Sequence, residues 1–326
     1  MRTFKKIEGV EVIELPTEWP VGPVNVFLLK GEKLTLVDCG RKMEKAWDMF
    51  NDALKELKLS VMDIEQIVLT HHHGDHVGLL DWILEENPIP VYAHENCRPF
   101  LKQDEDHFAR ARDFFSGFYD DFGVPKEIGQ KFASTKGWNQ GLRKKIEITA
   151  TIDEGIPVPG LSEWQVIETK GHAQSHISLY RPKDQVLLCG DHLIKHTPAG
   201  IFLEAPIYPE VVRAKPLIQY VNNLRKCLQL PISLTLSGHG DAIDNTHDFI
   251  HEMLEKIDKR AERVKSKLQD GQKSGYEIIQ EIYPDKYEKA TNVLASDTVG
   301  LLDLLLEREE IITEIENGII YYAINK

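Results

Sequence analysis

Short apolar runs broken by Gly and Pro dominate the first third of the chain. Val10 to Leu15, Val24 to Leu29 and Leu34 to Val37 predict strands. Met43 to Leu57 carries Met43, Ala46, Trp47, Phe50, Leu54 and Leu57 at spacings of three and four, one face of a helix. Ile64 to Leu69 predicts a buried strand that runs straight into a histidine cluster, and Pro90 to Ala93 another short strand. From about Glu95 to Gly141 the pattern changes. This stretch is charged and rich in aromatics, from Phe100 through Phe108, Phe115 and Tyr119 to Phe122, and predicts a helical insert in a β-rich frame. Strands return at Ile146 to Thr151, Trp164 to Glu168, Ile177 to Tyr180 and Gln185 to Leu188. A helix over Pro209 to Leu228 and a strand over Ser233 to Leu236 follow. Strand runs alternating with helices in this order predict an α/β fold of four layers, two sheets covered by helices.

The last 80 or so residues read differently. Phe249, Ile250, Met253, Leu254, Ile257, Ala261, Val264 and Leu268 form one helical stripe, which Gly271 ends. Ser274 and Glu277 have the spacing of a capping box. A Leu-rich helix over Tyr287 to Arg308 comes next. Ile311 to Ile315 and Ile319 to Ala323 flank Asn317-Gly318, the signature of a hairpin with a type I′ turn. Three helices and a terminal hairpin make a winged-helix pattern. The predicted domains are therefore 1–244, with the insert at about 95–141, and a small accessory domain at 245–326.

Composition narrows the partners. A chain of 326 residues, 42% hydrophobic and 28% charged, is long enough for about two globular domains. No apolar run reaches the ~18 residues needed to span a bilayer, and residues 1–9 lack the apolar core of a secretion signal. Cys39, Cys97, Cys189 and Cys227 form no C-x-x-C pair and fit free thiols in a reducing cytoplasm. The net charge of -13 repels polyanions, which makes nucleic acid a poor default partner and a small molecule the better one.

The chemistry concentrates in Thr70-His71-His72-His73-Gly74-Asp75-His76. In an extended loop His71 and His73 point the same way, with Asp75 and His76 one step further on. Imidazole nitrogen and carboxylate oxygen suit zinc and other first-row metals. Further donors follow downstream: His172 in Gly171-His172-Ala173, Asp191 in Cys189-Gly190-Asp191-His192, and His239 in Gly238-His239-Gly240. Any one of these alone reads as a loop or capping residue; together, in this order, they predict a metal site.

This combination resembles the metallo-β-lactamase superfamily. Asp38 in Val37-Asp38-Cys39-Gly40 matches its first motif, His71, His73, Asp75 and His76 the second, His172 the third, Asp191 the fourth and His239 the fifth. The resemblance covers about residues 10 to 242. It implies an αββα sandwich with a dinuclear centre at one edge of the sheets. It also implies that His71, His73 and His172 hold one metal, that Asp75, His76 and His239 hold the other, and that Asp191 bridges them. Asp38 then stands behind the ligands and orients them. Two zinc ions are the expected cofactors, with iron or manganese open. Members that run redox chemistry on a di-iron centre carry Glu where His73 stands, so His73 argues for hydrolysis.

The expected reaction is attack by a bridged hydroxide on a small acyl substrate such as a thioester, lactone or other ester, with Asp75 and Asp191 as the catalytic carboxylates. The lactonase-type tyrosine shortly after the bridging aspartate is missing, because His192, Leu193 and Ile194 stand there. The same metals would also serve phosphodiester cleavage of RNA. A DNA-binding regulator is a third reading, opposed by the acidic Glu307-Arg308-Glu309-Glu310 at the end of the candidate recognition helix. Packing, pocket completion or homodimer formation suits that domain better. The aromatic insert reads equally as a lid and as plain packing.

Overall fold

The computed structural model describes residues 7–133 and 141–325. The last residues of the predicted insert, 134–140, lie outside the described residues. Two compact units result. Among the described residues, 7–104, 141–200 and 227–247 form the first, and 105–133, 201–226 and 248–325 the second.

Two sheets build the first unit. Strands β1 (Val10–Leu15), β2 (Val24–Lys30), β3 (Leu34–Val37), β4 (Gln66–Val68), β5 (Val91–Ala93) and β6 (Ala150–Thr151) lie side by side in that order. The first three are antiparallel, and β3 to β6 run parallel. The second sheet has the order β10-β9-β8-β7, from β7 (Gln165–Glu168), β8 (Ile177–Arg181), β9 (Val186–Leu188) and β10 (Leu234–Leu236). Its β9 and β10 are parallel. Helices α1 (Glu44–Glu56), α2 (Gly74–Val77), α3 (Leu80–Glu86) and α4 (Arg98–Leu101) complete the unit.

Side chains alternate across β2, and this alternation separates two cores. Val26 and Leu28 join Leu36 and Ile67 in packing against Phe50 and Leu54 of α1 and Ile83 of α3. Phe27 and Leu29 turn the other way, with Val37 and Val68, and meet Val166, Leu179, Leu188 and Leu236 of the second sheet. A strand buried on both faces reads as a continuous apolar run, as the Val24 to Leu29 segment does. Strand β6 is shorter than the predicted Ile146 to Thr151. The Ile146 amide bonds the carbonyl of Leu101 at the end of α4, so residue 146 leaves the sheet ladder.

The second unit contains α5 (Glu105–Asp121), α6 (Lys126–Ala133), α9 (Gly275–Ile282) and α10 (Thr291–Glu307), and nearly all of α7 (Pro216–Cys227) and α8 (Thr246–Ser266). Its three-stranded sheet has the order β11-β13-β12, from β11 (Lys273–Ser274), β12 (Ile311–Glu316) and β13 (Ile319–Ile324). Both hydrogen bonds of the Ser274/Glu277 capping box are present, at 3.2 and 2.8 Å. Asn317 and Gly318 take φ values of 52° and 84°, as a type I′ turn requires. The insert from Glu105 to Ala133 packs within this unit, whereas its first residues, Phe100 among them, belong to the first. Phe122 lies so close to Gly275 that a Cβ there would fall 2.1 Å from its ring, and its carbonyl accepts from the Tyr276 amide. Helix α7 begins at Pro216 rather than at Pro209, with proline in the first helical position where its missing N–H is harmless. Among the described residues no helix is long and apolar enough to cross a membrane.

Candidate metal centre

Every predicted site residue sits beyond the carboxyl end of a strand. Asp38 follows β3; His71 and His73 follow β4, and α2 then carries Asp75 and His76. His172, Asp191 and His239 follow β7, β9 and β10. Open α/β sheets bind ligands at this edge.

The seven residues converge. His71, His73 and His172 bring one ring nitrogen each to within 4.8 Å of one another. The same holds for one donor atom each of Asp75, His76 and His239, and of His71, His76 and Asp191. The Asp191 carboxylate reaches both groups: its oxygens lie 3.2 Å from His76 Nε2, 3.4 Å from His239 Nε2 and 3.6 Å from His172 Nε2.

Hydrogen bonds on the far side of each ring fix which nitrogen faces inward. His172 Nδ1 lies 2.6 Å from the Gly200 carbonyl oxygen and His239 Nδ1 lies 2.8 Å from that of Pro23. A carbonyl only accepts, so each Nδ1 carries the proton and Nε2 points to the site. His76 Nδ1 donates to Asp38 Oδ2 at 2.8 Å. Thr70 Oγ1 donates to the same oxygen at 2.7 Å, which leaves the hydroxyl oxygen to accept from His71 Nδ1 at 3.0 Å. His73 is the exception and turns Nδ1 inward, 3.1 Å from His71 Nε2 and 2.8 Å from His172 Nε2. Asp38 lies behind His76 and Thr70 and accepts a hydrogen bond from each. It is fully buried, holds the left-handed φ of 60° and also accepts from the Thr70 amide at 2.8 Å.

The electrostatics differ between the two groups. Burial, then the neighbouring rings, pushes His71 well below the usual imidazole range. Burial and His172 take His73 down to about 3, and burial also lowers His172. These three rings are neutral at pH 7, the state that binds metal. Burial alone would lower His76 too, but the Asp191, Asp38 and Asp75 carboxylates outweigh it and raise it well above its ordinary value. For His239 burial is likewise outweighed, by Asp191 and Asp75, and the ring rises to about 9. Burial would raise Asp191; His76 and His239 overcome this and hold it well below the carboxylate range.

The donor set fits a cation. His71 Nε2 and His172 Nε2 carry no proton, and His73 Nδ1 can donate to only one of them, so lone pairs face one another in the interior. Among the described residues, buried His76 Nε2, His239 Nε2 and Asp191 Oδ1 make no hydrogen bond of good geometry, although they crowd together with His76 Nε2 3.2 Å from Asp191 Oδ1. Buried polar atoms left this way are costly, and a metal ion would satisfy all of them.

The surrounding groups are structural. His72 points away, stacked on Phe100 at 3.6 Å with Nδ1 2.8 Å from Ser175 Oγ. His176 accepts the Asp191 amide through Nε2 at 3.1 Å and so seats the loop. Burial pushes the Cys189 thiol up to about 12 and Cys39 well above its ordinary value, so both stay neutral. His94, Asp153 and Glu168 form another cluster, but His94 Nδ1 accepts from the Asn96 amide, which leaves the proton on Nε2, and Lys170 already pairs with Glu168. Asn25 is a residue that sequence reasoning missed. Its Nδ2 donates to the carbonyls of Ser237 and Gly240 at 3.0 and 2.9 Å, and its amide to that of Gly238 at 2.6 Å, gripping the loop around His239. An Asn inside an apolar strand run was the available signal.

Histidines and aspartates gathered at strand ends, with their rings tethered from behind, make a candidate metal centre. Residues 19–239 match the family described as the metallo-beta-lactamase superfamily. The chain belongs to that superfamily. It is 34% identical to the probable metallo-hydrolase YqjP of Bacillus subtilis (strain 168), over 98% of this chain and 99% of that protein. It shares its fold with the crystal structure of the metallo-beta-lactamase family protein TTHA1429 from Thermus thermophilus, with a TM-score of 0.79 and 23% identity over 98% of this chain and 99% of the other. A hydroxyacylglutathione hydrolase of Idiomarina loihiensis is 30% identical over 46% of this chain and 41% of its own length.

Proposed function

We propose that this protein hydrolyses a small acyl compound, a thioester, lactone or other ester, with two zinc ions. The observation that carries the reading is the convergence of three neutral imidazole nitrogens beside a His/Asp group that shares the Asp191 carboxylate with them. In this reading His71, His73 and His172 hold one ion, Asp75, His76 and His239 the other, and Asp191 both. Such ions supply Lewis acidity and lower the pKa of water toward ~7. Mostly neutral nitrogen donors favour zinc over magnesium or calcium.

The chain's own groups do the rest. The tethered rings keep their inward nitrogens in place without reorganisation, which is where electrostatic preorganisation comes from. Asp75 Oδ2 lies 3.2 Å from His239 Nε2. Burial opposes ionisation of Asp75, but His76 and His239 keep its carboxyl below its ordinary range. An ionised carboxylate there can take the proton of the attacking water and pass it to the leaving group.

The substrate class rests on charge and on likeness. A net charge of -13 and the acidic Glu307, Glu309 and Glu310 at the end of α10 work against a polyanion. The partial likeness to a hydroxyacylglutathione hydrolase supports acyl chemistry. The order α8, β11, α9, α10, β12, β13, with the sheet order β11-β13-β12, supports a winged-helix-like accessory domain at 245–326, used for packing or homodimer contact. The four cysteines are buried and joined by no disulfide, in keeping with a cytoplasmic protein.

Elemental analysis of the purified protein, followed by thioester, lactone and phosphodiester substrates, tests the reading. The expected result is about two zinc ions per chain and turnover of an acyl substrate. Metal-free protein that turns over as fast as the loaded form, or cleavage confined to phosphodiesters, overturns it.

A further inference from the structure

Segment 201–215, between Gly200 and α7, contains no helix or strand, yet both its ends are fastened to one face of α10. Ser296 Oγ accepts from the Leu203 amide and donates to the Ile201 carbonyl, the latter at 3.2 Å. Asp303 takes the Arg213 guanidinium in a two-point fork at 2.6 and 2.7 Å. Residues 296, 300 and 303 share a helical face. At Gly300 a Cβ would stand 3.0 Å from Leu217 Cβ, so a larger residue would push the start of α7 away. Ser296 and Asp303 are both buried, at 6% and 3% exposure, so water cannot replace the bonds they make.

The residue before this strap is Gly200, whose carbonyl accepts His172 Nδ1–H at 2.6 Å. That carbonyl lies in the peptide plane shared with the nitrogen and Cα of Ile201. Glycine sets its own backbone angles only weakly, so the plane takes its orientation from what holds Ile201, and Ser296 holds it.

We propose that Ser296 and Asp303 are positioning residues for His172, acting through strap 201–215 and the Gly200 carbonyl. This rests on the reading of His172 as a metal ligand. Loss of the Ser296 hydroxyl frees the Gly200 peptide to rotate, and the His172 ring loses its fixed acceptor.

The test is cobalt(II) binding to the full-length protein, followed by its visible d–d absorption and by chelator competition, with folding of the metal-free forms checked by circular dichroism. Ser296→Ala is expected to weaken binding of one ion about tenfold, the low end for groups behind a ligand, and to change the absorption band. Ser296→Thr, which keeps the hydroxyl, restores both. Asp303→Asn keeps its shape with a weaker fork and is expected to shift the same band in the same direction; it decides the matter if Ser296→Ala does not fold. Wild-type affinity and band shape in both Ser296→Ala and Asp303→Asn overturn the inference and leave the metal reading intact. Wild-type protein without any histidine-dependent cobalt band overturns the metal reading and the inference with it.

Discussion

Replacing Asp38 with Asn keeps the side chain's size and tolerates the left-handed φ of 60°, since Asn is among the residues that adopt it. The cost then comes from hydrogen bonding alone. Asp38 Oδ1 accepts the Thr70 amide, and Oδ2 accepts both Thr70 Oγ1 and His76 Nδ1. An Asn oxygen in the Oδ2 position preserves two of the three bonds and sets its NH2 against the Thr70 N–H. The opposite orientation loses two, so the first prevails. A buried amide without an acceptor costs about 1–3 kcal/mol, and two bonds that change from a charged to a neutral acceptor weaken by about 1 kcal/mol each. Asp38→Asn is thus expected to lose roughly 3–5 kcal/mol, less than the ~5–15 kcal/mol of a typical domain. The variant folds, but His76 is held more loosely. Its metal affinity should fall about ten- to hundredfold, the usual effect of losing a partner behind a ligand. Competition with a chromophoric chelator measures the affinity, and urea denaturation of the metal-free form measures the stability. Wild-type affinity in a variant that has lost this stability would refute the claim that Asp38 orients His76.

The remaining expectations concern the ligands and their supports. His73→Ala removes the nitrogen facing both His71 and His172; it should abolish turnover and lower the metal content found by elemental analysis. Asn25→Asp sets a carboxylate against the carbonyls of Ser237 and Gly240, so it should bind metal more weakly than Asn25→Ala, a ranking that chelator competition reads directly. Removing the metal with a chelator should lower the thermal midpoint, and added zinc at a hundred times its dissociation constant should restore about 2.7 kcal/mol; a midpoint indifferent to zinc argues against the centre.

Much of this architecture was legible in the sequence. Short apolar runs between Gly and Pro marked the strands of the first unit, and the Asn317-Gly318 pair and the Ser274/Glu277 spacing marked a turn and a helix start, because those features are local. The placement of α7 was not legible. Pro209 and Pro216 both permit a helix to begin, and what keeps 209–215 out of the helix includes the tie of Arg213 to Asp303, ninety residues away. The grouping of the aromatic insert with the C-terminal segment escaped for the same reason. It depends on Phe122 meeting Gly275, a contact between positions that carry no shared pattern.

The candidate site divides along a similar line. Its candidate ligands stood out in the sequence because imidazole and carboxylate are side-chain chemistry, spelled out in His71-x-His73-x-Asp75-His76. The groups that aim them are mostly backbone. Pro23 and Gly200 hold His239 and His172 through carbonyl oxygens, which every residue possesses, so nothing in the identity of either residue announces the role. Only where a side chain does the aiming, as Asp38 does for His76 and, through Thr70, for His71, does the orienting group leave a mark in the sequence. A substitution at Pro23 or Gly200 would therefore leave the acceptor in place and act only by moving it. Asp38→Asn changes the acceptor itself and leaves the backbone where it was. The two kinds of support call for different experiments: side-chain replacement where the acceptor belongs to a side chain, and changes in what anchors the backbone, such as Ser296, where it does not.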